Sequence, residues 1–155
     1  MPPRLALCLV LLLTLPGAAA LAQGAPPAAP APADPLAEPL KVVERFIAGF
    51  NRHDLGLLIA EADPDVKWLT VVDDRVIPDA RGQAALQEWM AKFLAVYPTV
   101  KRTIEQSIAH GPFVTVWERS RWKGKEDADL TQAGLVVYEV QRGKIKNVWR
   151  YSPQP

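Results

Sequence analysis

Glu118 is the residue whose type and position most clearly suggest chemistry. It lies in a strand-like run, Phe113 to Lys123, in which apolar and polar residues alternate. One alternating set consists of Val114, Val116, Glu118, Ser120 and Trp122. Because successive side chains of a strand point to opposite faces, this more apolar set is predicted to face the protein interior. A carboxyl group in an apolar surrounding is a candidate general acid or base.

Tyr138 is predicted to share that inner face from the next strand, Leu130 to Val140. There Val136, Tyr138 and Val140 form the inner set, and Val137 and Glu139 form the outer one. A one-residue bulge would invert either assignment. If both hold, Tyr138 can assist Glu118.

Other chemistries find little support in the sequence. His53 lies beside Asp54 at a helix junction and His110 lies in a Gly-Pro turn, so both histidines are predicted to be peripheral. Asp54 is better explained as a helix N-cap than as a catalytic partner. No phosphate-binding glycine loop, dinucleotide fingerprint, nucleophile elbow or metal-ligand spacing occurs, so we predict no cofactor and no metal. The only cysteine, Cys8, lies in the N-terminal apolar run.

The elements that must position these residues can be read from apolar periodicity. A first helix is predicted from Leu40 to about His53, a second over 55–62 stopped by Pro64, and a third from Gly82 to Tyr97-Pro98. Strands are predicted over 66–72, 99–109, 113–123, 130–140 and 144–152, with a polar loop over 73–81 and a tight turn at 141–143. This order predicts an α+β domain with three N-terminal helices packed on a curved antiparallel sheet.

The first 39 residues are predicted to lie outside this domain. Residues 1–22 combine Arg4, an apolar run of eleven residues and the small-residue pattern Ala20-Leu21-Ala22, which indicates a signal peptide cleaved near Ala22-Gln23. Residues 23–39 are rich in Pro and Ala and indicate a disordered linker. The domain itself is predicted over 40–152, in a periplasmic or secreted protein. An uncleaved membrane anchor is the alternative, but the apolar run is short for a spanning helix.

The charge balance argues against two kinds of partner. The chain has 18 Lys and Arg against 17 Asp and Glu. Removal of the segment that contains Arg4 leaves 17 of each, so the mature protein is near neutral. We therefore predict no nucleic-acid partner and no stable membrane anchor after cleavage.

Several segments, in order, resemble the SnoaL-like branch of the nuclear-transport-factor-2-like superfamily, the cone-shaped ketosteroid isomerase-like proteins. These segments are 46–54 (FIAGFNRHD), 65–68 (DVKW), Arg81-Gly82, 136–140 (VVYEV), 143–145 (GKI) and 148–151 (VWRY). The resemblance implies a conical pocket between the sheet and the helices, with Val148 and Arg150 facing inward and Trp149 outward. It also implies that Glu118 and Arg150 either pair or meet a polar ligand. The alternative is that both reach water at the cavity mouth or only join two strands.

The resemblance further predicts which residues serve the pocket and which chemistry is missing. The predicted pocket residues are Phe46, Phe50, Trp68, Met90, Trp122 and Val136. The predicted catalytic candidates are Glu118, Arg150 and Tyr138. The catalytic positions of ketosteroid isomerases correspond here to Phe46, Trp68 and about Val136, none of which can exchange a proton in that role. Steroid isomerase activity is therefore not expected.

Two functions follow from these observations. The first is an exported domain that binds a small hydrophobic molecule without catalysis. The second is a lyase- or isomerase-type enzyme that uses Glu118 as acid or base on such a molecule. Trp89 is expected to belong to the core. Trp117 and Trp149 are predicted to lie on the outer sheet face and to form a homodimer interface.

Overall fold

A computed structural model describes residues 37–151 of the chain. The predicted signal peptide and residues 23–36 of the predicted linker lie outside the described residues. The elements are α1 (Ala37–Arg52), α2 (Leu55–Ala60), β1 (Ala62–Val72), β2 (Arg75–Arg81), α3 (Gln83–Val96), β3 (Lys101–His110), β4 (Phe113–Lys123), a 3-10 turn (Lys125–Asp127), β5 (Asp129–Gln141) and β6 (Lys144–Tyr151). No helix within residues 37–151 is long and apolar enough to cross a membrane.

Helix α1 begins three residues before the predicted domain boundary at Leu40. The end of the predicted linker, Ala37 to Pro39, forms its first turn. Proline is tolerated there because the first backbone N–H groups of a helix have no partner within the helix. Glu38 in this turn also favours the start of the helix, since a negative charge suits the positive end of the helix dipole.

The junction between α1 and α2 follows the sequence prediction. His53 adopts a φ of 56° after the last turn of α1, and Asp54 caps α2 by accepting a hydrogen bond from the backbone N–H of Leu57 at 3.0 Å. Gly49 of α1 lies against the backbone of α2, where an added Cβ would come within 2.8 Å of the Leu58 nitrogen. The absence of a side chain at Gly49 therefore sets how closely the two helices approach.

The six strands form one open sheet in the order β2-β1-β6-β5-β4-β3. Four of the five neighbouring pairs are antiparallel, as predicted, whereas β1 and β6 run parallel. The sheet is therefore mixed, and the α+β cone architecture is confirmed. Helices α1 and α3 cover one face of it.

The polar segment 73–81 was predicted as a loop, and this prediction was wrong, since Arg75–Arg81 forms strand β2. Strand β2 lies at the edge of the sheet, where Pro78 can be accommodated because an edge strand need not donate every N–H. Strand β1 also begins earlier than predicted, at Ala62. It includes Pro64 in the stretch between Ala62 and Lys67, where the pairing with β6 is irregular.

The predicted inner faces of β4, β5 and β6 are confirmed by burial. Val114, Val116, Val136, Tyr138 and Val148 are buried in the core. On the opposite face, Trp117 is 41% exposed. The predicted tight turn between β5 and β6 is confirmed as well, because Arg142 and Gly143 both have positive φ, the geometry of a type I′ hairpin.

Candidate functional site

Glu118 lies in the middle of β4, on the inner face of the sheet. It is 6% exposed. Its cross-strand neighbours are Ile104 on β3 and Gly134 on β5. Because Gly134 has no side chain, it leaves room between Glu118 and Arg150 of β6. The strand alternation seen in the sequence thus predicted the placement of this carboxylate correctly.

Tyr138 is the hydrogen-bond donor to Glu118. Its hydroxyl donates to Oε1 of Glu118, and both groups are buried. Burial raises the pKa of Tyr138 well above its usual value, and the negative charge of Glu118 raises it further. The phenol therefore stays protonated and acts as a donor rather than as a base.

Arg102 is the charged residue of the site that the sequence analysis missed. It is 3% exposed, and its Nη1 lies 3.9 Å from Oε2 of Glu118. Its guanidinium carbon lies 3.9 Å from the ring centroid of Phe50, a cation–π geometry. Asn51 of α1 holds the strand in place, because its side chain accepts from the Arg102 N–H at 2.7 Å and donates to the Arg102 carbonyl at 2.8 Å.

A bulge in β3 explains why alternation did not reveal Arg102. The register with β4 shifts between Ile104 and Gln106. Before the bulge, Arg102 lies opposite the inner-facing Ser120, and after it Ser107 lies opposite the inner-facing Val116. The inner face therefore passes from even to odd residue numbers within one strand. Only the pairing partner on β4 could have identified Arg102 as inward.

Arg150 faces inward as predicted, but it does not form the predicted direct pair with Glu118. Among the described residues, Glu118 instead accepts a hydrogen bond from Tyr138 and forms an ion pair with Arg102. Burial lowers the pKa of Arg150, the positive charge of Arg102 lowers it further, and the charge of Glu118 opposes this shift. The strand pairing places Arg150 opposite Val136, which is diagonal to Glu118.

Two adjoining cavities open at this end of the sheet. The larger has a volume of about 90 Å³ and the smaller about 40 Å³. The larger is lined by Phe93, Tyr97, Val100, Arg102, Ser120, Trp122, Gln132 and Arg150. The smaller is lined by Glu118, Ser120, Gln132, Ala133, Gly134, Val136, Arg150 and Tyr151. One wall of the larger cavity is thus aromatic and aliphatic, and the other carries hydrogen-bonding and charged groups.

The predicted pocket residues divide into two groups. Trp122 lines the larger cavity and Val136 the smaller one. The other four, Phe46, Phe50, Trp68 and Met90, are fully buried in the core and line neither cavity, so the structure corrects their assignment. The reason is that α1 and α3 pack closely onto the sheet, which fills the deep end of the cone with side chains.

A series of aromatic rings joins this filled end to the cavity. Neighbouring ring centroids lie 5.0 to 5.9 Å apart. The series runs through Phe46, Trp68, Trp89, Phe93, Tyr97 and Trp122. Trp89 belongs to the packed part, as expected. Such contacts stabilise the core and make the aromatic wall of the cavity rigid.

The histidines lie where the sequence analysis placed them. His53 is half-buried and its Nε2 lies 3.2 Å from the carbonyl oxygen of Val100. His110 is exposed at the end of β3. Neither residue lines the two cavities, so the charged side chains that line them are Arg102, Glu118 and Arg150.

The comparisons with known proteins agree with this architecture. The SnoaL-like domain family matches residues 43–148. The fold is shared with Bal32a from a soil-derived mobile gene cassette, with a TM-score of 0.65, 18% identity, and coverage of 76% of this chain and 90% of the other. It is also shared with a provisionally assigned ketosteroid isomerase from Kribbella flavida DSM 17836, with a TM-score of 0.63, 19% identity, and coverage of 77% and 81%.

A third structure of the same fold is an NTF2-like protein of unknown function from Burkholderia pseudomallei K96243. Its TM-score is 0.63, its identity 15%, and the coverage 75% of this chain and 91% of the other. No curated protein matches the sequence at a significant level. At these identities the structural likeness shows the fold alone.

Proposed function

The chain belongs to the SnoaL-like domain family, and we propose that its domain binds a small, partly hydrophobic molecule in the larger cavity without catalysing a reaction. The observation that carries this proposal is the lining of that cavity. Phe93, Tyr97, Val100 and Trp122 offer an apolar wall, and facing polar groups can fix the orientation of a ligand. This combination is typical of small-molecule sites.

The volume of the cavity limits the size of the molecule. The larger cavity has a volume of about 90 Å³. Drug-sized ligands occupy pockets of roughly 300 Å³ or more. The ligand that fits is therefore far smaller than a steroid.

The proposal can be tested by NMR on the indole N–H signals of a ¹⁵N-labelled domain. A panel of fragment-sized compounds should contain members that shift the signal of Trp122, which lines the cavity. The signal of Trp117, which is exposed on the other face of the same strand, should not move. Trp122→Phe and Trp117→Phe assign the two signals. A panel in which no compound shifts Trp122, or in which both signals shift equally, would contradict the proposal.

A second candidate function is acid–base catalysis through Glu118. It is favoured by one specific arrangement, in which Tyr138 donates to one oxygen of a carboxylate that also lines the smaller cavity. Arg150 lines both cavities and could stabilise negative charge on a substrate. With a substrate in hand, Glu118→Gln should abolish turnover and retain binding. Equal turnover in the variant would exclude this role.

Steroid isomerisation is not expected in either case. Phe46, Trp68 and Val136 are buried hydrophobic residues, and none of their side chains can transfer a proton to or from a steroid substrate. A purified domain that isomerises a Δ5-3-ketosteroid would refute this expectation.

We also propose that the protein is exported, because of the N-terminal sequence pattern, and that it acts in the periplasm or outside the cell. The test is mass spectrometry of the protein from fractionated host cells. The mature form should begin at Gln23. Recovery of intact Met1 in the membrane fraction would favour the uncleaved anchor instead.

A homodimer through the outer sheet face remains part of the proposal. Trp117 is 41% and Tyr151 42% exposed on that face, and Trp149 lies beside them half-buried. A standard interface buries about 800 Å² per partner, and a broad sheet face can supply such an area. Light scattering should give a dimer for the native domain and a monomer for the combined change Trp117→Glu and Trp149→Glu. A native monomer would overturn this part.

A further inference from the structure

Arg102 is a buried charged residue whose N–H groups do not all find hydrogen-bond acceptors within residues 37–151. Its side chain is 1% exposed. No acceptor within residues 37–151 lies within hydrogen-bond distance of its Nε or Nη1. A buried guanidinium with unpaired N–H groups is costly, since the lost hydration is not replaced. The 3.9 Å approach of Nη1 to Glu118 compensates only in part, because at that distance it is an ion pair without a hydrogen bond.

The charges around the cavities also leave positive charge in excess. Their lining residues include two cationic side chains, Arg102 and Arg150, and one anionic side chain, Glu118. Of the charges that shift the pKa of Arg150, that of Asp79 has the smallest effect. Asp79 already accepts a hydrogen bond from the Thr70 hydroxyl at 2.6 Å, and it lines neither cavity. Within residues 37–151, one positive charge at the cavity wall thus stays without a partner.

We propose that the ligand of the larger cavity is a small monocarboxylate, whose carboxylate group binds between Arg102 and Arg150. This inference rests on the proposed function, because it assigns a chemical class to the molecule that the cavity holds. One monoanion neutralises the excess positive charge. A planar carboxylate also matches the planar donor arrangement of a guanidinium better than a spherical anion does.

The remaining lining residues define the rest of this ligand. Ser120 and Gln132 lie opposite each other on β4 and β5, next to Arg102 on β3, and supply further hydrogen-bonding groups. Tyr97 and Trp122 form an apolar corner with ring centroids 5.9 Å apart. A short hydrocarbon tail fits against these rings, so we expect a short-chain acid in this cavity of about 90 Å³.

Glu118 determines the selectivity of the site for charge. It lines the adjoining smaller cavity and carries a negative charge that repels a second negative charge on a ligand. Inorganic phosphate, which is partly dianionic at neutral pH and mostly dianionic above it, is therefore expected to bind more weakly than a monocarboxylate. The neutral amide of the same acid lacks the charge that Arg102 and Arg150 recognise, and it is also expected to bind more weakly.

The experiment is a titration of the ¹⁵N-labelled domain with propionate, propionamide and inorganic phosphate, followed on the arginine Nε–H and tryptophan indole signals. Propionate should shift the signals of Arg102, Arg150 and Trp122 in one saturable process. Arg150→Gln should weaken propionate binding at least about tenfold, because a hydrogen bond to a charged group is lost. Arg75→Gln, which removes an exposed arginine on β2, has the same change in charge and should leave binding unchanged.

Failure of this inference can be distinguished from failure of the proposed function. Equal binding of propionate and propionamide, tighter binding of phosphate, or unchanged propionate binding in Arg150→Gln overturns the carboxylate assignment. In the first of these cases Trp122 still reports a filled cavity, so the proposed function stands. If no compound shifts Trp122, both are overturned. Circular dichroism of Arg150→Gln establishes that the variant is folded before its binding is compared.

Discussion

Replacement of Tyr138 by phenylalanine isolates one buried hydrogen bond. The ring is fully buried and contacts Phe46, with centroids 6.2 Å apart, so phenylalanine preserves its packing. Only the hydroxyl that donates to Glu118 is lost. The carboxylate then has one buried oxygen without its donor, while Arg102 stays 3.9 Å from the other.

The size of the effect follows from the charge of the acceptor. A hydrogen bond to a charged group contributes about 1.5–3 kcal/mol, and a buried group left without its partner costs a similar amount. Tyr138→Phe should therefore lower the free energy of unfolding by about 2 kcal/mol. With a typical urea dependence of about 2 kcal/mol per molar, the unfolding midpoint should fall by about 1 M.

The matched control is Tyr151→Phe. Tyr151 is 42% exposed at the end of β6, so loss of its hydroxyl should change stability by less than about 0.5 kcal/mol. Urea unfolding followed by circular dichroism compares the two variants. Equal stability losses in both would refute the argument that the Tyr138 hydroxyl satisfies a buried charge.

The burial of the Tyr138 phenol next to the charge of Glu118 predicts how the stability difference between the native protein and Tyr138→Phe depends on pH. The pKa of Tyr138 is raised in the folded state above its usual 10.0, so the folded state holds the phenol proton more tightly than the unfolded state does. The stabilisation is therefore complete below pH 10 and is lost as the pH rises from there through the folded-state pKa, by about 1.4 kcal/mol per pH unit. Ultraviolet absorbance should show a phenol that ionises above pH 10 in the native protein and is absent from Tyr138→Phe. A constant stability difference above pH 10 would contradict this assignment.

Three further changes test other parts of the fold. Asp54→Ala removes the cap of α2 and should lower the free energy of unfolding in urea by about 1 kcal/mol. No measurable loss would show that the hydrogen bond from the Leu57 N–H to Asp54 does not stabilise the domain. Gly49→Ala should destabilise the domain although alanine favours helices, because the added Cβ meets the Leu58 nitrogen at 2.8 Å; a gain in stability would show that the two helices separate easily. Asn51→Leu should lower stability and broaden the Arg102 side-chain signals in NMR, because β3 loses the two hydrogen bonds that hold its backbone at Arg102. Unchanged signals would show that Asn51 does not position Arg102.

Most of the fold could be predicted from the sequence, because helices and strands that are buried on one face only show a clear repeat of apolar residues. Strand β4 was predicted with its observed bounds, Phe113–Lys123, since turn residues flank a regular alternation. Strand β2 was not predicted, because a short edge strand with Pro78 and exposed residues has the composition of a loop. The parallel pairing of β1 with β6 joins segments distant in sequence, and no local pattern reports such a contact.

The candidate site could be predicted only in part, for a related reason. Glu118 and Tyr138 lie on strands paired without a bulge between them, so alternation located both. Arg102 lies on β3, where the bulge after Ile104 breaks the alternation, and its segment KRTIEQSIAH is mostly polar. The filling of the cone by Phe46 and Trp68 depends on how closely the helices approach the sheet, which residue types do not specify.

The cost of the buried charges argues that this end of the sheet has a role other than stability. A cluster that served only to join strands could pair one arginine with Glu118 at hydrogen-bond distance, or replace both by apolar residues at little or no cost. Instead Glu118 is held by Tyr138, Arg102 lies at 3.9 Å with unpaired donors, and Arg150 adds a second positive charge at the same cavity. If these groups are kept for a ligand, a variant with both arginines changed to methionine and Glu118 changed to glutamine, which leaves no buried charge unpaired, should be at least as stable as the native protein in urea, and should lose propionate binding. A marked loss of stability in that triple variant would show that the charged groups support the fold itself.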